Sequence, residues 1–241
     1  MQASFVLVHG GAHGGWCYQR VARLLRRRGH DVYTPTLTGY GDRGHLDQPG
    51  ITVETHVEDV VSLIEYEDLH DVVLVGHSLG GVVIPRVAER VRERIRRVVW
   101  LAALVLDDGE QVVSRYAAAS EWLLRAVVAG PDGEPRTDLD LLMEAFLQDG
   151  SPEDRAWVRA RLGNTPAAAL SEPGRLTRFL ELGLPMGYIV ALRDQSLPPE
   201  LCREFAARLP GCRILAVDAS HDLMISAPEA TAESLAEMAG A

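Results

Sequence analysis

Gly76-His77-Ser78-Leu79-Gly80 stands directly behind the apolar run Val72-Val73-Leu74-Val75 and directly before a helical pattern, an arrangement that few folds accept. A serine at a sharp strand-to-helix turn is held in strained backbone geometry, so side chains two positions before and after it would collide with the turn. Glycine at both places removes the collision, and Gly81 extends the clearance. Roughly 0.1 such pentapeptides are expected by chance at this composition, so the bare pattern is only moderately specific. The strand before it and the helix after it make it informative. They place Ser78 at the tip of the turn as a candidate nucleophile, against the plainer reading of a glycine-rich connection.

The surrounding chain alternates short apolar runs with amphipathic stretches. Residues 5–8, 31–35, 72–75 and 98–106 read as strands, and Val21, Ala22, Leu24 and Leu25 recur at helical spacing, as do Val53, Val57, Val60, Val61 and Ile64. A further helix is expected over residues 82–94. Such alternation implies right-handed crossovers and a mostly parallel sheet covered by helices on both faces, the α/β class. Between residues 111 and 185 the rhythm changes to successive helical segments (112–129, 139–148, 153–162 and 175–182) with no strand expected among them. It resumes with a strand over 188–192, a helix over 200–209, a strand over 213–217 and a last helix announced by Ser226-x-x-Glu229 as a capping box. Residues 1–110 and 186–241 are therefore read as one core carrying a helical cap, residues 111–185.

Composition narrows the chemistry. The 241 residues carry a formal net charge of −10, which disfavours phosphate backbones and anionic lipid, so neither nucleic acid nor a membrane is expected as a partner. All 24 basic residues are Arg. Without a lysine amine, Schiff-base enzymes, pyridoxal-phosphate enzymes and the phosphate-binding GxxxxGK[ST] loop are excluded. Cys17, Cys202 and Cys212 are odd in number and widely spaced, which suggests neither disulfides nor zinc. No leader-like segment or membrane span is read, so a soluble cytoplasmic protein is expected.

A serine nucleophile needs a base, an orienting acid and donors for the oxyanion. His221 follows the strand over 213–217 and Asp194 the strand over 188–192, at strand ends late in the chain. Asp218, three residues before His221, reads as a turn residue, while Asp107 and Asp108 stay open as alternative acids. The turn His9-Gly10-Gly11-Ala12-His13 fails as a dinucleotide fingerprint at Ala12. It suits instead a backbone N–H, that of Gly11, facing Ser78 and acting with the N–H of Leu79. His9 and His13 read as turn stabilisers rather than catalysts. No metal cluster is evident, and no cofactor is expected.

The stretches FVLVHGGAHGGWCY (5–18), GHDVYTPTLTGYGDRGHL (29–46), THVEDVVSLIEYEDLHDVVLVGHSLGGVV (55–83), YIVALRDQSLP (188–198) and SHDLMISAPE (220–229) resemble the α/β-hydrolase superfamily. Within it they look like the branch of methyl-ester esterases and hydroxynitrile lyases, particularly bacterial carboxylesterase-like members. The resemblance implies Ser78 as nucleophile, His221 as base, Asp194 as acid, and Gly11 and Leu79 as oxyanion donors. Two departures count against a lyase: plant lyases of this branch carry Thr and Lys where this chain has Gly10 and Asp222. The expectation is a cofactor-free serine esterase acting on a small carboxylic ester or lactone through an acyl-enzyme. Alternatives are a lyase or acyl cyclase using the same site, or a ligand-binding protein with a vestigial one. The cap matches nothing in the resemblance. Trp122, Phe146 and Trp157, with Met224, are read as substrate-binding, and Leu123, Met143 and Phe179 as further candidates for an acyl pocket or for cap core. Oligomeric state is open, a homodimer included.

Overall fold

The computed structural model describes residues 2–112, 114–115, 127–129 and 135–240. Six parallel strands form its sheet: β1 (Ser4–Val8), β2 (Asp31–Tyr33), β3 (Val72–Ser78), β4 (Ile95–Ala103), β7 (Met186–Ala191) and β8 (Arg213–Val217). Their order is β2-β1-β3-β4-β7-β8. Strand order reverses direction at β1 and β3, which opens a crevice at the carboxyl ends of these neighbours, where Ser4–Val8 runs in register with Val72–Gly76.

Side-chain alternation divides the interior into two cores. Phe5, Leu7, Val73, Val75, Val99, Leu101 and Ile189 pack with Val21, Ala22 and Leu25 of α1 (Gln19–Arg27) and with Leu235 and Met238 of the C-terminal helix Pro228–Gly240. Val6, Val8, Leu74, Val98, Trp100, Tyr188 and Val190 face the other way. They meet α2 (Val53–Tyr66), α3 (Gly80–Arg90) and the helix Pro199–Ala207. Burial on both faces is why these strands read as continuous apolar runs.

Several boundaries move from the sequence reading. Helix α3 stops at Arg90 and a 3₁₀ turn, Arg92–Arg94, follows. Strand β4 begins at Ile95 because Ile95 and Arg97 already pair with Val72 and Val73, although the arginines at its start suggest a helix terminus. The expected Ser226-x-x-Glu229 box does not form. Ser226 instead ends the short helix Leu223–Ser226 and shares a 3.3 Å hydroxyl contact with Ser220, and the last helix starts at Pro228, where a missing N–H costs nothing. The capping box is at α2, built from Thr52 and Thr55 rather than from a Ser–Glu pair.

The largest correction falls in the insertion. Val127–Ala129 and Pro135–Thr137 form an antiparallel hairpin, β5 and β6, where a helix through residue 129 and no strand were expected. Val127 and Val128 are β-branched and the sequence between the strands is Gly130-Pro131-Asp132-Gly133-Glu134, a turn composition that the helical periodicity of the preceding residues obscures. Most of the expected helix 112–129 lies outside the described residues. The remaining helices are Leu139–Phe146, Pro152–Arg159, Ala167–Ser171 and Leu176–Leu180. Asp138 caps the first by accepting from the N–H groups of Asp140 and Leu141, and Ser151 caps the second by accepting from that of Asp154. No helix among the described residues is long and apolar enough to cross a membrane.

Candidate active site

Ser78 ends β3 with φ at +50°, a conformation that L residues rarely hold, and its neighbours explain how it is kept there. A Cβ on Gly76 would stand 2.6 Å from the Gly80 carbonyl oxygen, and one on Gly80 would stand 2.8 Å from that of His9. The strand-to-helix turn and the turn after β1 thus touch backbone to backbone. A Cβ on Gly10 would lie 2.7 Å from Ser78 Cβ, so no side chain fits between the first glycine of that turn and the serine. Gly80→Ala is expected to cost about 1–3 kcal/mol, the range for forcing extra volume into a packed interior. The check is the urea midpoint at unchanged slope; an unaltered midpoint means that the two turns yield freely.

Gly11 and Leu79 are neighbours: a Cβ on Gly11 would meet Leu79 Cδ2 at 3.7 Å and Thr165 Oγ1 at 3.0 Å. Thr165, from the insertion, therefore lies against Gly11. The sequence reading missed it, since nothing in an isolated threonine between helices marks it.

His221 and Asp194 come together at the ends of β8 and β7. His221 Nδ1 and Asp194 Oδ2 are 2.7 Å apart, both side chains fully buried. Asp194 Oδ1 accepts from the N–H groups of Ser196 and Leu197, each at 2.8 Å, so its carboxylate is fixed on both oxygens. Burial pushes the Asp194 carboxyl above its usual range, with His221 and the two N–H groups opposing. His221 is tied to the residue before Ser78: its carbonyl oxygen pairs with His77 Nε2 at 3.0 Å, and the two rings lie 4.6 Å apart. Burial drives His77 well below the ordinary histidine range, so it is neutral and donates from Nε2. With Nδ1 facing Asp194, the other ring nitrogen of His221, Nε2, is buried and has no hydrogen-bond partner among the described residues.

The alternative acids point elsewhere. Asp218 pairs with Arg193 at 2.9 Å, Asp107 with Arg208 at 3.3 Å, and Asp108 accepts from Thr177 N–H at 3.0 Å; all three are exposed. His9 stabilises its turn, with Nδ1 2.8 Å from the Gly10 carbonyl oxygen and Nε2 accepting from Leu37 N–H at 3.0 Å. Burial lowers its pKa to about 3, in keeping with a neutral ring. His13 lies 2.7 Å from the Gly11 carbonyl oxygen through Nδ1 and 3.1 Å from Asp222 Oδ2 through Nε2.

The expected substrate-binding residues separate. Phe146 reaches the site, its ring 5.0 Å from that of His221 and 5.7 Å from that of His13. Trp157 packs edge-on against Trp16 at 5.1 Å, with Arg161 over its face. Met224 and Met143 are buried in the core that includes β1 and α1. Phe179 stacks edge-on against Trp100 in the opposite core. Trp122 and Leu123 lie outside the described residues. A cavity of about 740 Å³ between Trp16, Arg23, Arg26, Asp42 and Arg161 includes none of Ser78, Asp194 and His221. It opens to solvent, and the candidate site is placed instead by Ser78 and by the His221–Asp194 contact. No group of three or more metal-ligating side chains occurs among the described residues.

The sequence profile of the alpha/beta hydrolase family matches residues 5–234. A carbendazim hydrolyzing esterase from Nocardioides sp. (strain SG-4G) is 37% identical to this chain over 98% of it and 99% of the relative. Salicylic acid-binding protein 2 from Nicotiana tabacum is 28% identical over 98% and 96%. The crystal structure of a pyrethroid hydrolase from Sphingobium faniae JZ-2 superposes with a TM-score of 0.81 at 27% identity, covering 100% of this chain and 98% of that one. The chain belongs to the alpha/beta hydrolase family. Within that class it is a carboxylic ester hydrolase, of the branch that its esterase relatives define.

Proposed function

We propose that this hydrolase cleaves a small carboxylic ester or lactone through an acyl-enzyme on Ser78, with His221 as base and Asp194 as orienting acid. The 2.7 Å contact between His221 Nδ1 and Asp194 Oδ2 carries the reading. It fixes the tautomer: Nδ1 bears the proton, and Nε2 takes the proton of the serine hydroxyl as Oγ attacks the ester carbonyl. The imidazolium so formed is stabilised by the adjacent carboxylate and then protonates the leaving alcohol. The N–H groups of Gly11 and Leu79 receive the oxyanion, and water repeats the sequence to release the acid.

Gly10 and Asp222 support hydrolysis over cyanohydrin cleavage. A hydroxyl-bearing residue at position 10 has no room beside Ser78, and Asp222 puts a carboxylate where a leaving cyanide needs a cation. The negative formal charge favours neutral or cationic esters over polyanions. The three free cysteines fit a reducing compartment, the cytoplasm in our reading. Reaction with a fluorophosphonate, the label mapped to Ser78, followed by an ester panel in ¹⁸O-labelled water, tests the proposal. One labelled oxygen in the acid product is expected, and unlabelled product overturns hydrolysis.

Phe146 is proposed as a selector of the substrate group. Phe146→Ala is expected to shift relative kcat/KM across the panel by ~1–3 kcal/mol, the worth of a methylene-scale change in an apolar pocket, with acylation by a minimal activated ester nearly unaltered. Trp157→Ala, changed where the side chain packs on Trp16, is the comparator. A folded Phe146→Ala with the wild-type profile moves specificity to residues 36–50.

A further inference from the structure

His13 and Asp222 are both buried, and they join the two turns that the proposed mechanism needs in register. His13 belongs to the turn that carries Gly11, and Asp222 directly follows His221. Both His13 nitrogens face acceptors: Nδ1 the Gly11 carbonyl oxygen at 2.7 Å, Nε2 Asp222 Oδ2 at 3.1 Å. A carbonyl cannot donate, and neither can a carboxylate, so two such contacts require an imidazolium, or a single proton held between His13 and Asp222. Asp222 is anchored in turn by its own N–H, which donates to the Phe146 carbonyl oxygen at 2.9 Å.

We propose that His13 and Asp222 form a second buried dyad whose shared proton positions the oxyanion turn against the turn bearing His221. His13 is on this view a positioning residue, acting through the Gly11 peptide, and the inference rests on Ser78 being the nucleophile. The carbonyl gripped by His13 and the N–H offered to the oxyanion belong to the two peptide groups that meet at the Gly11 Cα. Holding the carbonyl restrains the backbone at Gly11, and with it the setting of the turn that bears this donor. Trp16 stacks on the His13 ring at 5.4 Å, and the Phe146 ring lies 5.7 Å from it.

The charged and titratable surroundings agree. His77, 6.0 Å away on β3, is neutral, and so is His9 on the same turn. Cys17 is kept protonated, by burial first and Asp222 second. Burial opposes charge on His13, but Asp222 and the Gly11 carbonyl outweigh it and its pKa is raised. Because the folded value lies above the unfolded one, the dyad's contribution is full below the ordinary histidine range and is lost as pH rises through the raised value. Loss of the proton leaves a ring lone pair against a carboxylate, and the turn must shift.

The test compares wild type, His13→Ala and Asp222→Asn in kcat against pH and in the rate of fluorophosphonate labelling. His13→Ala is expected to lower kcat and the labelling rate together by on the order of 10- to 100-fold, the scale for a misplaced donor, with KM changed less than about threefold. An asparagine amide donates to a neutral His13, so Asp222→Asn removes the need for the shared proton. The alkaline fall in wild-type kcat should vanish in that variant. The proposal is overturned by equal labelling rates in wild type and His13→Ala, by an alkaline fall that survives in Asp222→Asn, or by wild-type kcat that stays flat through alkaline pH. If His13→Ala does not fold, the Asp222→Asn profile decides alone. A wild type that is never labelled instead removes Ser78 as nucleophile, a separate failure.

Discussion

Ser78→Ala is expected to leave a folded protein whose kcat on an activated ester is lower by on the order of 10³ to 10⁶, the range for loss of a nucleophile that acts with its base as a unit. Folding should survive because alanine needs no room beyond that of the serine and faces the same positive φ. The glycines at 10, 76 and 80 that clear the turn are untouched. What disappears is the oxygen proposed to form the acyl-enzyme, so fluorophosphonate labelling should be lost with turnover. Substrate binding is not expected to weaken in proportion, and the kcat change should exceed the KM change. Half of wild-type activity in a correctly folded Ser78→Ala would remove Ser78 from the mechanism. The residual rate also carries information, because oxyanion donors and binding alone retain some catalysis when the nucleophile is gone.

The sheet and the three strand-end positions were legible because they rest on short-range rules. A doubly covered parallel strand must be apolar throughout, and a serine on a tight turn must have glycines on both sides, so residues 72–81 declare both facts at once. Asp194 was separable from Asp107, Asp108 and Asp218 only by position along the chain. In the structure, ion pairs to Arg193 and Arg208 and the contact with Thr177 account for those three. The contacts of the insertion were not legible. Phe146 and Trp157 look alike in sequence, yet one packs on His221 and the other on Trp16, because the choice depends on how two helices dock and not on their periodicity. The hairpin Val127–Ala129 and Pro135–Thr137 was hidden for a related reason: two β-branched residues are too short a strand signal against the helical periodicity before them, and only pairing over a distance reveals them. The bond of His13 to the Gly11 carbonyl is local to its turn, but its partner Asp222 is 209 positions away and only the fold brings them together.

Asp194→Asn should separate what the buried carboxylate does for catalysis from what it does to stability. The asparagine can satisfy the Ser196 and Leu197 N–H groups through its oxygen, which turns its amide toward His221 Nδ1. An amide N–H there favours a ring protonated at Nε2, the tautomer that cannot accept the serine proton, and it offers no charge to the imidazolium. A fall in kcat of roughly 10⁴ is the expected size for such a tautomer reversal. Stability should move the other way. Burial raises the folded-state pKa of Asp194 above its unfolded value, so its contribution is fully present only below the unfolded carboxyl range and is lost as pH rises through the folded value. Above that value the wild type carries a buried charge that the variant lacks, and below it the two should converge. Tm at pH 7 is therefore expected to be at least that of wild type, with the difference narrowing toward pH 4. Activity above a tenth of wild type would move the acid to another carboxylate, whereas a Tm well below wild type at pH 7 would mean that the His221 contact outweighs the cost of burying the charge.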